Sequence, residues 1–473
     1  MDPQEFRELG HELIDWVADY RERIGDYPVM SQVEPGEVAA QLPAEPPLHG
    51  AGLGDIAADL ERIVMPGITH WNHPGFLAYF PSNTDLASVL ADLVSSGLGP
   101  QGMSWQTSPA CTEVEDVVME WLRKMVGLPA AFTGAIADTA STSTLCAMLC
   151  ARERASGFSQ NHGGLQTGDA PLVVYASDQA HSSVPKAALL AGFGADHLRL
   201  IGTDDEHALR LDLLEEAIEA DLTAGRRPCA VVAAVGTTAT TALDPVAGIA
   251  GVCERHGLWL HIDAALAGTA MICPEFRWMW EGVEQADSVV FNPHKWMGTG
   301  FDLSAYYVRD PEHLVRVMST DPSYLRTAHD GRVRNLRDWG IPLGRRFRAL
   351  KLWFLLRDSG VEGLQARVRR DVANAAWLAA QVDAAPEWER LAPAPLQTVC
   401  LRHVPATLAD DEESVAVHNV AIAAAVNAAG RFYLTPAVVK GIRLLRVSVG
   451  AGPTERTHVE GVWAALRAAA AAV

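Results

Sequence analysis

Two stretches, Leu258-Trp259-Leu260-His261-Ile262-Asp263-Ala264-Ala265 and Ser288-Val289-Val290-Phe291-Asn292-Pro293-His294-Lys295-Trp296, decide the fold. Each is a short apolar run that ends in polar residues, the pattern of a strand buried on both faces with its chemistry at the carboxyl end. The pattern recurs at Leu172–Ala176, Ala230–Val235 and Leu303–Val308, and helical periods around Pro185–Ala191, Leu211–Leu222 and Val246–His256 lie between the earlier runs. Such alternation predicts an α/β fold with a mostly parallel central sheet, whose ligands gather beyond the strand ends.

Working outward, Asp2, Pro3 and Glu5 form a capping-box signature ahead of an amphipathic helix through Tyr20, and Pro35 to Gly54 is breaker-rich. This arm cannot form its own core and must pack on the chain or on a second subunit. Arg309 to Leu343 reads as a polar loop long enough to be a lid, followed by a helix over Arg345–Arg357. The C-terminal section reads as helices Val415–Ala429 and Thr454–Ala469 with strands Thr398–Val404, Arg431–Leu434 and Ile442–Val449. The expected division is a helical, dimer-forming arm (1–85), a large cofactor-binding domain (86–365) with a mobile loop at about 310–340, and a C-terminal α+β domain (366–473).

The 473 residues carry 58 acidic and 38 basic side chains, a net charge of −20, which argues against a nucleic-acid partner. No apolar run is long enough to cross a membrane, and the N-terminus lacks a secretory signal. Seven cysteines with no CxxC pair fit reduced thiols, so the expected location is cytoplasmic. His261 and Asp263 have no matching second cluster, and no metal site is expected. Gly97-Leu98-Gly99-Pro100-Gln101-Gly102 spells a dinucleotide fingerprint but follows a helix instead of a strand. Ser183-Val184-Pro185-Lys186 lacks the companion elements of the hydrolases that use SxxK.

Buried Asp263 and Lys295 at neighbouring strand ends are costly unless they pair or do chemistry. Spacing alone fits a structural ion pair, the commoner arrangement. It also fits a pyridoxal phosphate site, where a lysine joins the aldehyde and a carboxylate keeps the pyridine nitrogen protonated. His181 in a polar turn after a strand could lie on such a ring. The hydroxyls of Thr139 to Thr144 open a helix, where phosphate binds well.

The chain resembles the aromatic L-amino acid decarboxylases of the group II pyridoxal-phosphate-dependent family, nearly end to end. The resemblance is carried by Met65-Pro66-Gly67-Ile68-Thr69-His70-Trp71, Ala78-Tyr79-Phe80-Pro81, Ser108-Pro109-Ala110-Cys111-Thr112-Glu113, Asp178-Gln179-Ala180-His181-Ser182-Ser183, His261-Ile262-Asp263-Ala264-Ala265, Asn292-Pro293-His294-Lys295-Trp296 and Ile341-Pro342-Leu343-Gly344-Arg345-Arg346-Phe347-Arg348. It implies the aspartate aminotransferase-like fold (fold type I), pyridoxal 5'-phosphate as cofactor, and a homodimer with shared active sites. Lys295 then forms the Schiff base, Asp263 pairs with the ring nitrogen and His181 stacks on the ring. Thr139, Ala140, Ser141 and Asn292 hold the phosphate, while Thr238, Ala265 and His294 line the cofactor site. Trp71, Tyr79, Phe80, Pro81, Ser82, Met103 and Gly344 shape the substrate pocket, and Tyr324 is the mobile catalytic tyrosine.

The implied reaction converts tryptophan, 5-hydroxytryptophan, tyrosine, phenylalanine or dopa to the amine and carbon dioxide. Family members that make aldehydes carry Phe at the position of Tyr324 or Asn at that of His181; both are retained here, which favours the amine. Gly344 is the small residue that goes with indole-sized rings. Leu266, Met103 and Asp138 depart from the family pattern, and a carboxylate at 138, beside the phosphate, must point away or be screened. The alternatives are a histidine or methionine decarboxylase or an aromatic aldehyde synthase. An aminotransferase would need an Arg placed for a second carboxylate, and a non-enzymatic binding module would stay colourless with added cofactor.

Overall fold

A computed structural model describes residues 1–50, 52–167, 170–320, 323–327 and 329–473, with the side chains of Leu53, Thr167 and Tyr324 outside that set. Seven strands, β1 (Thr133–Ala137), β2 (Leu172–Ser177), β3 (Leu198–Ile201), β4 (Arg227–Ala234), β5 (Trp259–Asp263), β6 (Ser288–Phe291) and β7 (Ser304–Val308), form one sheet in the order β1-β7-β6-β5-β4-β2-β3. All run parallel except β7, which pairs antiparallel with both β1 and β6. Every residue of β2, β5 and β6 is buried, as their unbroken apolar character requires. One hydrophobic cluster includes Val231, Leu260 and Ile262 with Leu122 and Ile249; another includes Val174, Ala230 and Val232 with Cys146 and Ala147. The sheet is therefore covered on both faces.

A second, antiparallel sheet contains β8 (Trp388–Arg390), β9 (Thr398–His403), β10 (Thr435–Val439) and β11 (Ile442–Ser448) in the order β10-β11-β9-β8. Its core packs Val399, Leu445 and Val447 against helices Glu412–Ala428 and Arg456–Ala472. At the N-terminus the capping box forms as read: Asp2 accepts from the Glu5 N–H at 2.9 Å, and helix Pro3–Arg23 follows. Among the described residues no helix is long and apolar enough to cross a membrane.

Several elements depart from expectation. β1 and β3 escape the sequence reading because Thr133-Gly134-Ala135-Ile136-Ala137 is dominated by small residues and β3 is a partly exposed edge strand. The stretch from Arg309 to Leu343 is not all loop: Asp310 caps helix Pro311–Met318 at the His313 N–H, and only Leu314 and Val317 are buried, too few to show a period. The expected strand Arg431–Leu434 is displaced to Thr435–Val439. The Asn427 side chain holds both the N–H and the carbonyl of Leu434, taking the groups a strand would use. The helix expected at Arg345–Arg357 runs from Ala349 to Ala384, interrupted at Gly360 (φ 64°, ψ 173°). Gly99, from the dismissed dinucleotide fingerprint, closes helix Leu86–Leu98 in the left-handed conformation.

Candidate active site

Parallel pairing aligns the carboxyl ends of β4, β5 and β6, with Asp263 opposite Ala234 on one side and Val290 on the other. Asp263 is buried and accepts from the Ala265 N–H at 3.1 Å. Ala264 N–H donates to Val290 and Asn292 N–H to Ala265, so the turns after β5 and β6 are stitched together. Asn292 then accepts from the Lys295 N–H at 2.9 Å, in the turn Pro293–Met297. Burial pushes the Lys295 ammonium down, toward the neutral amine, while the Asp263 charge opposes this. His181 is also pushed down by burial, against Asp263 and together with Lys295, which puts the three in one electrostatic group. Its Nδ1 accepts from the Ser183 N–H at 3.1 Å, which assigns the proton of the neutral ring to Nε2.

His294 is pulled down to about 4 by burial and by the Lys295 charge, and accepts from the Leu303 N–H at Nδ1, as a neutral ring. His261, also brought to about 4, has hydroxyls at both ring nitrogens, Ser288 at 2.9 Å and Thr144 at 3.4 Å. Among the described residues no group of three His, Cys, Asp or Glu side chains is arranged to hold a metal.

Thr139 precedes helix Ala140–Ser156 without capping it, leaving the first N–H groups, those of Ala140 and Ser141 among them, without a side-chain partner. Buried Asn292 keeps its Oδ1 unpartnered. Thr238 lies exposed in the turn after β4, which is closed by Thr241 N–H on the Thr237 carbonyl. Gly236 permits this turn: its φ is 85°, and a Cβ there would meet Ala267 Cβ at 2.8 Å. An uncapped helix start, an orphaned buried amide, and a carboxylate–lysine pair fit a phosphorylated pyridine aldehyde.

The segment Trp71–Asn83 supplies a wall. Trp71 stacks on Tyr79 at 5.7 Å, and Lys295 Nζ lies 5.5 Å from the Phe80 ring centre. Pro81 packs beside Gly450, and Ser82 Oγ donates to the His294 carbonyl at 3.3 Å. Two residues that sequence reasoning missed hold this wall. Asn83 Nδ2 donates to the carbonyls of Lys295 (3.0 Å) and Gly450 (2.6 Å), and its Oδ1 accepts from Gly452 N–H. Arg446, 4% exposed, donates to the Ala239 and Tyr79 carbonyls (2.8 and 3.2 Å), with its guanidinium 5.2 Å from the Phe80 ring centre. An Arg inside the apolar run Leu444–Val449 was the available signal.

Met103 and Gly344 lie on segments that hydrogen-bond to each other, and Gly344 lines one cavity with Asp138, Thr142 and Ser143. The Met103 carbonyl accepts from Arg337 N–H, Gly102 N–H donates to Arg345, and Gln101 Oε1 accepts from Arg345 N–H. A Cβ on Gly344 would meet Gln101 Nε2 at 3.2 Å. Leu266 is wholly buried in the main core. Tyr324 belongs to the short turn Ser323–Leu325, and its side chain lies outside the described residues. Asp138 does not point away: its Oδ1 accepts from the Thr139 N–H at 2.7 Å, at the helix start itself.

The conserved domain of pyridoxal-dependent decarboxylases matches residues 35–404. The chain is 40% identical to the aromatic-L-amino-acid decarboxylase of Rattus norvegicus, covering 100% of this chain and 99% of that one. It is likewise 40% identical to the phenylacetaldehyde synthase of Arabidopsis thaliana, over 98% of this chain and 95% of the relative. The crystal structure of Oryza sativa TDC with PLP and tryptamine superposes with a TM-score of 0.96 at 36% identity, covering 100% and 98% of the two chains.

Proposed function

The chain belongs to the pyridoxal-dependent decarboxylase family, and from that premise we propose that it decarboxylates an aromatic L-amino acid to its amine and carbon dioxide. The reading is carried by buried Asp263 and half-buried Lys295 at adjoining strand ends, beside the aromatic wall of Trp71, Tyr79 and Phe80. Bound pyridoxal 5'-phosphate supplies an aldehyde that joins amines and a ring that accepts the electrons released with carbon dioxide.

The chain's own residues divide the remaining work. Burial keeps the Lys295 amine nucleophilic, so it can attach and later be displaced. Asp263 would keep the cofactor's ring nitrogen protonated, and His181 would help hold the ring. Asn292 and the helix start at Thr139, Ala140 and Ser141 hold the phosphate, with Thr238, Ala265 and His294 completing the lining. Tyr324 delivers a proton to the substrate Cα, and the stretch at about 310–340, helical over Pro311–Met318, excludes water as it closes. Gly344 leaves room for an indole, so tryptophan and 5-hydroxytryptophan lead the substrate list. The test is to supply the holoenzyme with tryptophan, 5-hydroxytryptophan, tyrosine, phenylalanine, dopa, histidine and methionine and to measure carbon dioxide and amine. Aromatic amines are expected, and keto acids or no product overturn the reading. With Tyr324→Phe, product is expected to shift toward aldehyde and ammonia; unchanged amine-only turnover removes that role from Tyr324.

The same reading includes a homodimer with shared sites, and the three-part division at residues 85 and 365. Helix Pro3–Arg23 buries none of its residues, and Phe6, Leu13 and Ile14 on it are exposed, as are Leu86, Leu90, Leu93 and Leu98 on helix Leu86–Leu98. So much apolar surface on two neighbouring helices needs a cover. Leu90→Asp with Leu93→Asp is expected to give monomers by sedimentation and to lose most activity; a fully active monomer rules out sharing. The seven cysteines are all free and buried, which supports a reducing, cytoplasmic location.

A further inference from the structure

We propose that Asp138 competes with the cofactor's phosphate for the start of helix Ala140–Ser156, and so sets how firmly this chain holds its cofactor. The proposal rests on the reading of that helix start as the phosphate cradle. Three observations carry it. The helix start presents N–H groups that no side chain of the helix caps, and these, with the helix dipole, attract an anion. Buried Asn292 makes no hydrogen bond through its side chain among the described residues, so its amide NH2 is open to donate to an anion. The Asp138 carboxylate already occupies one donor, Thr139 N–H, at 2.7 Å; Arg345, Arg346 and Arg348 line the same cavity, but among the described residues none forms an ion pair with it.

An anion is thus built into the chain where another anion must bind. In the empty protein Asp138 satisfies part of the helix start. When a phosphate enters, the two negative groups share one set of donors a few residues long. Asp138 and Thr139 are half-buried and Ser141 is exposed, so water and salt screen the repulsion in part and leave a moderate penalty at this short range. Phosphate affinity is therefore lowered relative to a chain with a neutral residue at 138, and the cofactor exchanges more readily.

Asp138→Asn tests this, because the amide oxygen can still accept from Thr139 N–H while the charge is gone; Asp138→Ser serves as a second neutral cap should the first fold poorly. The apoprotein is titrated with pyridoxal 5'-phosphate and, separately, with pyridoxal, which lacks the phosphate. Binding is read from the visible absorbance that develops when either aldehyde joins the lysine. The expected result is half-saturation by pyridoxal 5'-phosphate at about tenfold lower concentration in the variants, with pyridoxal binding unchanged. Inorganic phosphate should also raise the melting temperature of the variant apoproteins more than that of the parent. Equal shifts for the two aldehydes, or no gain for the phosphorylated one, overturn the proposal. If neither aldehyde produces the absorbance in any protein, the cofactor-site reading itself fails, and the proposal falls with it.

Discussion

Lys295→Ala is expected to lower amine formation by about four orders of magnitude or more, with the fold intact. The chain has five lysines. Lys124, Lys186 and Lys440 are exposed, and Lys351 is held by the carbonyls of Gly300 and Asp302 and by Asp92. Lys295 alone places an amine beside Asp263 and Phe80 with burial pushing it toward the neutral form. No other lysine can take over, because none sits at these strand ends. The backbone of residue 295 is held by Asn83 and Asn292 through main-chain atoms, which Ala retains. Carbon dioxide release in a single turnover, measured beside the melting temperature, checks this. Activity within about tenfold of the parent, on that same scale, would remove Lys295 from the chemistry.

The second large effect concerns a residue outside the cofactor lining. Arg446→Met is expected to reduce kcat/KM about a hundredfold, the usual cost of misplacing a reacting wall by about 1 Å. Tyr79 has a φ of 46°, a left-handed conformation that costs a non-glycine residue about 1–3 kcal/mol and persists only where neighbours impose it. Its N–H donates to Thr435 Oγ1, and its carbonyl accepts from Arg446. The same guanidinium holds Ala239, in the turn that carries Thr238 and strained Thr241 (φ 57°). Met fills much of the space but makes neither bond, so Tyr79 can relax and carry Phe80 away from Lys295. The loss should fall on both KM and kcat, and Arg446→Lys should restore only part of it. A variant that loses stability while keeping both constants would make Arg446 merely structural.

What could be read without the structure was local. The apolar runs at β2, β4, β5, β6 and β7 announce themselves because full burial on both faces removes alternation. Small-residue β1 and edge strand β3 lack that signature, and helix Pro311–Met318 buries too little to show its period. Asp263 and Lys295 stood out because a charge at the end of a buried strand is expensive wherever it occurs.

The sequence by itself therefore determined the parallel core, the candidate site residues and the family, since each is written in a short stretch of chain. Only the tertiary structure decided what holds those residues in place. Asn83 meets Lys295 across 212 positions and Arg446 meets Tyr79 across 367, and no local pattern encodes contacts at such separation. It also decided that the segments of Met103 and Gly344 meet, and that Asp138 turns its carboxylate onto the helix start. The physical reason is the same in each case: a side chain's type fixes what it can bond to, but packing of distant segments selects which partner comes within reach.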